Sequence, residues 1–481
     1  MKIKKPDLLW GLLLLGSLPL LASCSKDEAP EIEPNTVTQQ MKVNNFIVDC
    51  MNTYYLWNNA LPEIEQNHEE DSQTLFYRMV YKDDYWSFLT DDAKSLTNTF
   101  AGTEKTFGYG IQVYKFSNNE ELFAVVQFVY DNLPAKKAGL KRGDIILTLN
   151  GNALTKSNYS ALFSGISAGL NELGLGELSD NGIKPSNKTV TLQAVDAYQD
   201  PIITRNIIRH DSHTVGYLHY ASYTLKSLND LGDLFTEFKN AGITDLVLDL
   251  RYNSGGYALA AKYIASSLVR ATALDNKSIY LQEIWNQDIM DYYASKQIDP
   301  NEYFTSTERD SNGQIIYQLK TNLNLERLFV LTGKRTASAS EATIVGLEPY
   351  IDVIKIGQKT SGKYCGGIVF TPANIYSRPD QEISEWGIYA MVYRFANKNG
   401  ETNFIDGFKP DYEIEDDYLY NPLPLGDEKE PMLAKALSLI TGNPVATTPK
   451  RVQKQTLQPI EVPSPDRSGM LKTTIELLPL K

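Results

Sequence analysis

The sequence predicts a multidomain α/β (α+β) protein with a small N-terminal helical domain, a β-rich middle domain and a C-terminal α/β core. Three observations lead there. Asn45 to Asn58 carries apolar residues at helical spacing. From Gly102 to about Asp200, glycine-rich turns feed short alternating strands. From His213 onward, strand-like and helix-like segments alternate, as they do when a sheet is covered by helices.

The N-terminus reads as an export signal. Lys2, Lys4 and Lys5 precede an apolar run from Leu8 to Leu21, which is short for a membrane span. The run ends in Leu21-Ala22-Ser23-Cys24, which resembles a bacterial lipobox, so residues 1–23 are expected to be removed and Cys24 lipidated. The acidic stretch Ser25 to Glu31 resembles the surface-export signal of Bacteroidetes lipoproteins, and residues 24–40 read as a flexible tether. The expected location is the cell envelope, on the outer membrane.

Residues 41–101 form the helical domain, with a second helix predicted over Asp71 to Tyr81. Trp57, Trp86 and the tyrosines here read as core. Residues 102–200 form the β-rich domain, with Gly165 to Asn187 read as an insertion loop. In residues 201–442, strands are predicted at Val215–Tyr220, Asp245–Leu250, Arg327–Leu331 and Val353–Ile356. Helices are predicted at Leu225–Asn240, Gly256–Arg270, Ser338–Leu347 and Glu430–Ile440. Residues 443–481, rich in Pro, Thr, Gln and Lys, read as a tail ordered only in part.

Composition narrows the function. The formal net charge of −13 argues against nucleic acid, which needs clustered Lys and Arg. The three cysteines, Cys24, Cys50 and Cys365, cannot make a disulfide framework. With four histidines and no CxxC pair, a structural zinc has little support, so no metal or organic cofactor is expected.

Three segments carry chemistry. In Asp249-Leu250-Arg251-Tyr252-Asn253-Ser254-Gly255-Gly256, a buried strand ends in paired glycines whose N–H groups are free to face a ligand, as an oxyanion hole requires. Thr336-Ala337-Ser338-Ala339-Ser340-Glu341 places Ser338 at a helix N-terminus, where the dipole favours a developing oxyanion. Ser338-x-x-Glu341 is equally a capping box, which would make Ser338 only an N-cap. In Thr360-Ser361-Gly362-Lys363-Tyr364, Lys363 has uncharged neighbours, and a lysine serves as a base only when burial lowers its pKa.

Two resemblances join these pieces. The Gly108-Tyr109-Gly110-Ile111 turn, Pro134-Ala135-Lys136-Lys137-Ala138-Gly139-Leu140 and Gly143-Asp144-Ile145-Ile146 together resemble a PDZ domain. This implies that a peptide adds a strand there, its C-terminal carboxylate held by N–H groups of Tyr109, Gly110 and Ile111. The three chemical segments, in this order behind a PDZ-like domain, resemble the C-terminal-processing (tail-specific) serine peptidases over roughly residues 41 to 440. That resemblance implies an α/β peptidase core of the crotonase/Clp-protease-like ββα type. It implies Ser338 as nucleophile, Lys363 (25 residues later) as base, and an oxyanion hole from Ala339 with Gly255 or Gly256. Polypeptides, through their C-termini, are the implied substrates, and activity should rise with pH without depending on a metal. Many members carry a Gln four residues after the Lys; here that position is Gly367, with Glu341 and Tyr364 as substitutes by proximity in sequence.

Two other readings fit parts of the sequence. A non-catalytic peptide-binding lipoprotein would keep the groove but would not need both Ser338 and Lys363. Gly357 to Lys363 fits the G-x-x-x-x-G-K of a phosphate loop, but Tyr364 stands where a Ser or Thr should hold Mg²⁺, and an exported protein meets little ATP.

Overall fold

The computed structural model describes residues 37–64, 70–116, 120–163, 170–179, 182–210, 212–402, 404–445, 458–459 and 470–471. The predicted signal segment and Cys24 lie outside them. At the N-terminal end, α1 (Gln39–Tyr54) buries Phe46, Ile47, Met51 and Tyr54. Helix α2 (Ser72–Met79) starts where the Asp71 carboxylate accepts the Thr74 N–H at 2.9 Å, an N-cap that satisfies an otherwise orphaned donor.

The middle of the chain is an antiparallel sheet of β1 (Tyr109–Lys115), β2 (Leu122–Val129), β3 (Ile145–Leu149), β4 (Leu170–Ser179) and β5 (Gly182–Gln193), neighbours in that order. Its core gathers Val113, Ala124, Val126, Ile146 and Leu173. The expected insertion loop at 165–187 is corrected here, because 170–179 and 182–193 are a paired ladder. Glycines suggested a loop, but they serve close strand approach. A Cβ on Gly174 would fall 2.1 Å from Thr148 Oγ1 across the β3–β4 ladder.

The elements of the C-terminal part that frame the site are β6 (Ile202–His210), β7 (His213–Tyr220), α3 (Leu228–Asn240), β8 (Asp245–Asp249), β9 (Gly256–Tyr257), α4 (Ala258–Leu268), β10 (Ile279–Trp285), β11 (Arg327–Thr332), α5 (Ala339–Leu347), β12 (Asp352–Gly357), β13 (Cys365–Phe370), β14 (Gly387–Ala396), β15 (Tyr412–Glu413) and α6 (Pro431–Thr441). Two short strands, β16 (Gln458–Pro459) and β17 (Met470–Leu471), close the series. One sheet runs β6-β7-β8-β11-β12-β15, parallel from β7 onward. Strand β8 is buried at every position, as expected where helices cover both faces of a parallel sheet. On one face Val247, Phe329 and Leu331 meet Leu433 and Leu437 of α6. On the other, Leu246, Leu248 and Val330 join the cluster holding Ile264 of α4 and Ile344 of α5. Each such side chain contributes about 1.5–3 kcal/mol on burial.

A second sheet runs β9-β17-β13-β14-β10, ending on Asn301–Tyr303, with Phe88–Thr90 also pairing β14. The predicted helix from Gly256 to Arg270 begins later than expected, at Ala258. Gly256 and Tyr257 are extended instead, Gly256 at φ +134°, where only glycine is unstrained.

Candidate active site

Strand β11 ends at Thr332, and the turn to α5 is stitched onto the loop that follows β8. Thr336 Oγ1 donates to the Leu250 carbonyl at 2.8 Å, the Ala337 N–H to the Asn253 carbonyl at 3.1 Å, and Ser340 Oγ to the same carbonyl at 3.0 Å. Ser338, at the crest of this turn, has φ +56° and ψ −110°. A non-glycine residue there is strained by about 1–3 kcal/mol and persists only where its surroundings enforce it. An ordinary N-cap has extended backbone and a hydroxyl bonded to the first helical turn. The Ser338 hydroxyl is fully buried and has no hydrogen-bond partner.

Glu341, one turn into α5, is fully buried and accepts four hydrogen bonds. Its Oε2 takes the N–H of Ser338 at 2.9 Å and of Lys363 at 2.8 Å. Its Oε1 takes the Gly362 N–H at 2.7 Å and Thr360 Oγ1 at 2.6 Å. The Ser361 N–H also reaches the Thr336 carbonyl at 2.9 Å. One carboxylate thus holds the main chain of both predicted catalytic segments. Burial pushes the Glu341 carboxyl above its usual range, and the four donors pull against that shift.

Lys363 is 1% exposed. Its Nζ lies 5.1 Å from the ring centre of Tyr389 and 5.8 Å from that of Trp86. The missing Gln is explained by packing. A Cβ on Gly367 would sit 2.6 Å from both Tyr389 Cζ and Met391 Cε, so ring and thioether fill the space that a side chain there would need. Sequence reasoning missed this use of Trp86, which was read as core, and of Tyr389. Both are remote from Lys363 in sequence, and no local pattern marks them.

The paired glycines complete the constellation. Gly255 has φ +117°, and a Cβ on it would lie 3.0 Å from Ser338 Cβ and 3.2 Å from Ala339 N. The Gly255 N–H donates to Asn253 Oδ1 at 2.9 Å, so it is already engaged. The Gly255 carbonyl accepts from the Tyr223 N–H at 2.9 Å, and the Tyr223 carbonyl from the Tyr257 N–H at 2.8 Å. Beneath this loop, buried Arg251 pairs with Asp249 at 2.9 Å, with Glu430 at 2.9 and 3.0 Å, and with Asp416 at 3.2 Å. Arg142, from the turn before β3, also pairs with Asp416 and so ties the middle sheet to this loop.

Tyr109, Gly110 and Ile111 open β1, with Gly110 facing Phe128 of β2. The Tyr109 hydroxyl donates to the Leu162 carbonyl at 2.9 Å. The opposite edge of β1 carries β16, with Pro459 opposite Tyr114 and Gln458 opposite Lys115. A phosphate loop should open onto a helix, but the chain after Lys363 enters strand β13. Among the described residues, no group of three or more His, Cys, Asp or Glu side chains is placed to hold a metal ion.

The core that carries this arrangement is similar to that of the S41 serine peptidases. Residues 214–414 match the model for Peptidase family S41 and residues 42–88 that for the Peptidase S41 N-terminal domain. The chain is similar to the C-terminal processing peptidase, chloroplastic, of Tetradesmus obliquus (25% identity; 62% of this chain, 60% of that protein). It is also similar to the carboxyl-terminal-processing peptidase 1, chloroplastic, of Arabidopsis thaliana (26% identity; 73% and 62%). The chain therefore spans about three fifths of the length of these relatives. A solved Bacteroides fragilis structure described as an S41 protease superposes with TM-score 0.66 at 25% identity, over 82% of this chain and 97% of that one.

Proposed function

We propose that the protein is an exported serine endopeptidase in which Ser338 attacks the scissile carbonyl and Lys363 accepts its proton. The observation that carries this reading is the geometry of Ser338. Ser338 combines a buried hydroxyl with no partner, a positive φ, and a backbone N–H that shares the Glu341 carboxylate with the N–H of the candidate base. A helix cap would explain the bond from Glu341 to the Ser338 N–H, but neither the positive φ nor the unpartnered hydroxyl.

The expected chemistry is acyl transfer. Ser338 Oγ forms the bond to carbon while Lys363 Nζ takes the hydroxyl proton. The oxyanion is held by N–H groups of Ala339, at the N-terminus of α5, and of Gly256, the Gly255 N–H being engaged elsewhere. Lys363 then returns its proton to the leaving amine, and water hydrolyses the ester. The burial of Lys363, beside Trp86 and Tyr389, supports a base role, since a lysine base needs a site shielded from bulk water.

The sheet of β1 to β5 is read as a PDZ-like module that takes substrate C-termini near Tyr109, Gly110 and Ile111. The chain is read as lipid-anchored through Cys24 on the outer membrane. Casein cleavage by the mature chain, set beside Ser338→Ala and Lys363→Ala, tests the dyad. Cleavage is expected to vanish in both variants, and equal cleavage by all three would remove the assignment. Cys24→Ala should move the protein from the membrane to the soluble fraction; retention in the membrane counts against the anchor.

A further inference from the structure

The second sheet contains a slot. In its order β9-β17-β13-β14, the oxyanion turn at Gly256 does not pair with the strand that follows Lys363. The two are joined through β17, which runs parallel to both. Met470 lies opposite Gly256 on one side and Gly366 on the other; Leu471 lies opposite Tyr257 and Gly367. Since neighbouring strands lie about 4.8 Å apart, β9 and β13 flank a gap of roughly 10 Å, the width of one extended polypeptide. That gap adjoins Gly255, which packs on Ser338, and begins three residues after Lys363.

The same tail touches the other predicted peptide-binding edge. Gln458 and Pro459 add antiparallel to β1, opposite Lys115 and Tyr114, at the end of the strand away from Tyr109. Two separate stretches of residues 443–481 thus pair with the two strand edges on which a substrate backbone is expected. Pairing of this kind is made by main-chain groups, so it needs no likeness between the tail and a substrate sequence.

We propose that the C-terminal segment around Met470 and Leu471 is a resident occupant of the polypeptide cleft, which a substrate must displace. A substrate strand would then run parallel to β9 and β13, as β17 does. The effect on turnover rests on the peptidase reading; occupancy of the cleft does not. A tethered strand competes at an effective concentration on the order of millimolar, so its release should raise apparent affinity for a competing peptide by about tenfold or more.

The test uses the full chain carrying Ser338→Ala, with and without Met470→Pro and Leu471→Pro, which remove ladder N–H groups. The probe is a fluorescent peptide of residues 466–475. The proline pair is expected to bind it at least tenfold more tightly than its parent, with an unchanged melting temperature. Equal binding overturns the proposal. Hydrogen exchange on the unsubstituted chain gives a second reading. Amides of 470 and 471 should be protected, and exchange at the rate of an unstructured peptide overturns it as well. In a third arm with Ser338 intact, the proline pair should cleave casein about tenfold faster. Tight peptide capture without cleavage by either chain would remove the peptidase reading and leave tail occupancy standing.

Discussion

Glu341 and Lys363 are joined through the main chain: Oε2 of the carboxylate accepts the Lys363 N–H at 2.8 Å while holding the Ser338 N–H at 2.9 Å. The Ser338 turn and the Lys363 loop follow different strands, and this shared carboxylate sets their separation. Glu341→Gln should be more harmful than its near-identical shape suggests. All four groups around the carboxylate donate, and an amide replaces one acceptor with a donor. The expected result is a loss of about 2–4 kcal/mol in stability, together with a kcat at least tenfold lower and a smaller change in KM, measured well below the melting temperature. Unchanged kcat in a destabilised but folded variant would limit Glu341 to a structural part.

The strain at Ser338 can be separated from its chemistry. Ser338→Ala and Ser338→Gly should both abolish cleavage, yet they should differ in stability. Glycine accepts φ +56° and alanine does not, so the glycine variant should be the more stable by about 1 kcal/mol in chemical denaturation. An alanine variant as stable as the glycine one would mean that the turn is relaxed.

Gly367 offers a test of packing behind the base. Its would-be Cβ meets Tyr389 and Met391 at 2.6 Å, so Gly367→Ala should cost about 1–3 kcal/mol by overpacking. Casein turnover should fall with it, because the Tyr389 ring lies against Lys363 Nζ. Met391→Ala in the same chain should recover part of the lost stability, as Met391 is the softer of the two neighbours.

His219 predicts an acid limb in stability. It is fully buried between Phe128 and Tyr252, and neither ring nitrogen has a hydrogen-bond partner. Burial lowers its pKa from 6.5 to about 4; Asp249 opposes that shift, and Arg251 and Arg142 reinforce it. The unfolded chain therefore binds a proton between these values while the folded chain does not. The stability this group contributes is present above about pH 6.5 and is lost as pH falls towards 4, on the order of 3 kcal/mol in all. His219→Phe should flatten that part of the profile in denaturation at pH 7 and pH 4.5, and an unchanged acid limb would assign it to other groups.

Much of this protein was legible in one dimension. Asp245–Leu250 and Arg327–Leu331 read as strands and form strands over Asp245–Asp249 and Arg327–Thr332, their alternating faces following from a period of two. Helix α2 was expected over Asp71 to Tyr81 and forms over Ser72–Met79, with Asp71 as its cap. Ser338, Lys363 and the paired glycines stood out through their order and spacing and the resemblance to tail-specific peptidases, since each alone also reads as a cap, a phosphate loop or a turn. The tertiary structure decided what depends on contacts between distant segments. It gave the helix cap at Ser338 a positive φ and an unpartnered hydroxyl, neither of which is written in a capping box. It showed that glycines at 174 and 176 serve strand pairing rather than a loop, and that Gly367 is filled by Tyr389. It also brought Trp86 to Lys363 and Met470 to Gly256. Local propensity is a property of neighbours along the chain, whereas a ring against an amine or a strand in a slot is created only when folding brings remote segments together.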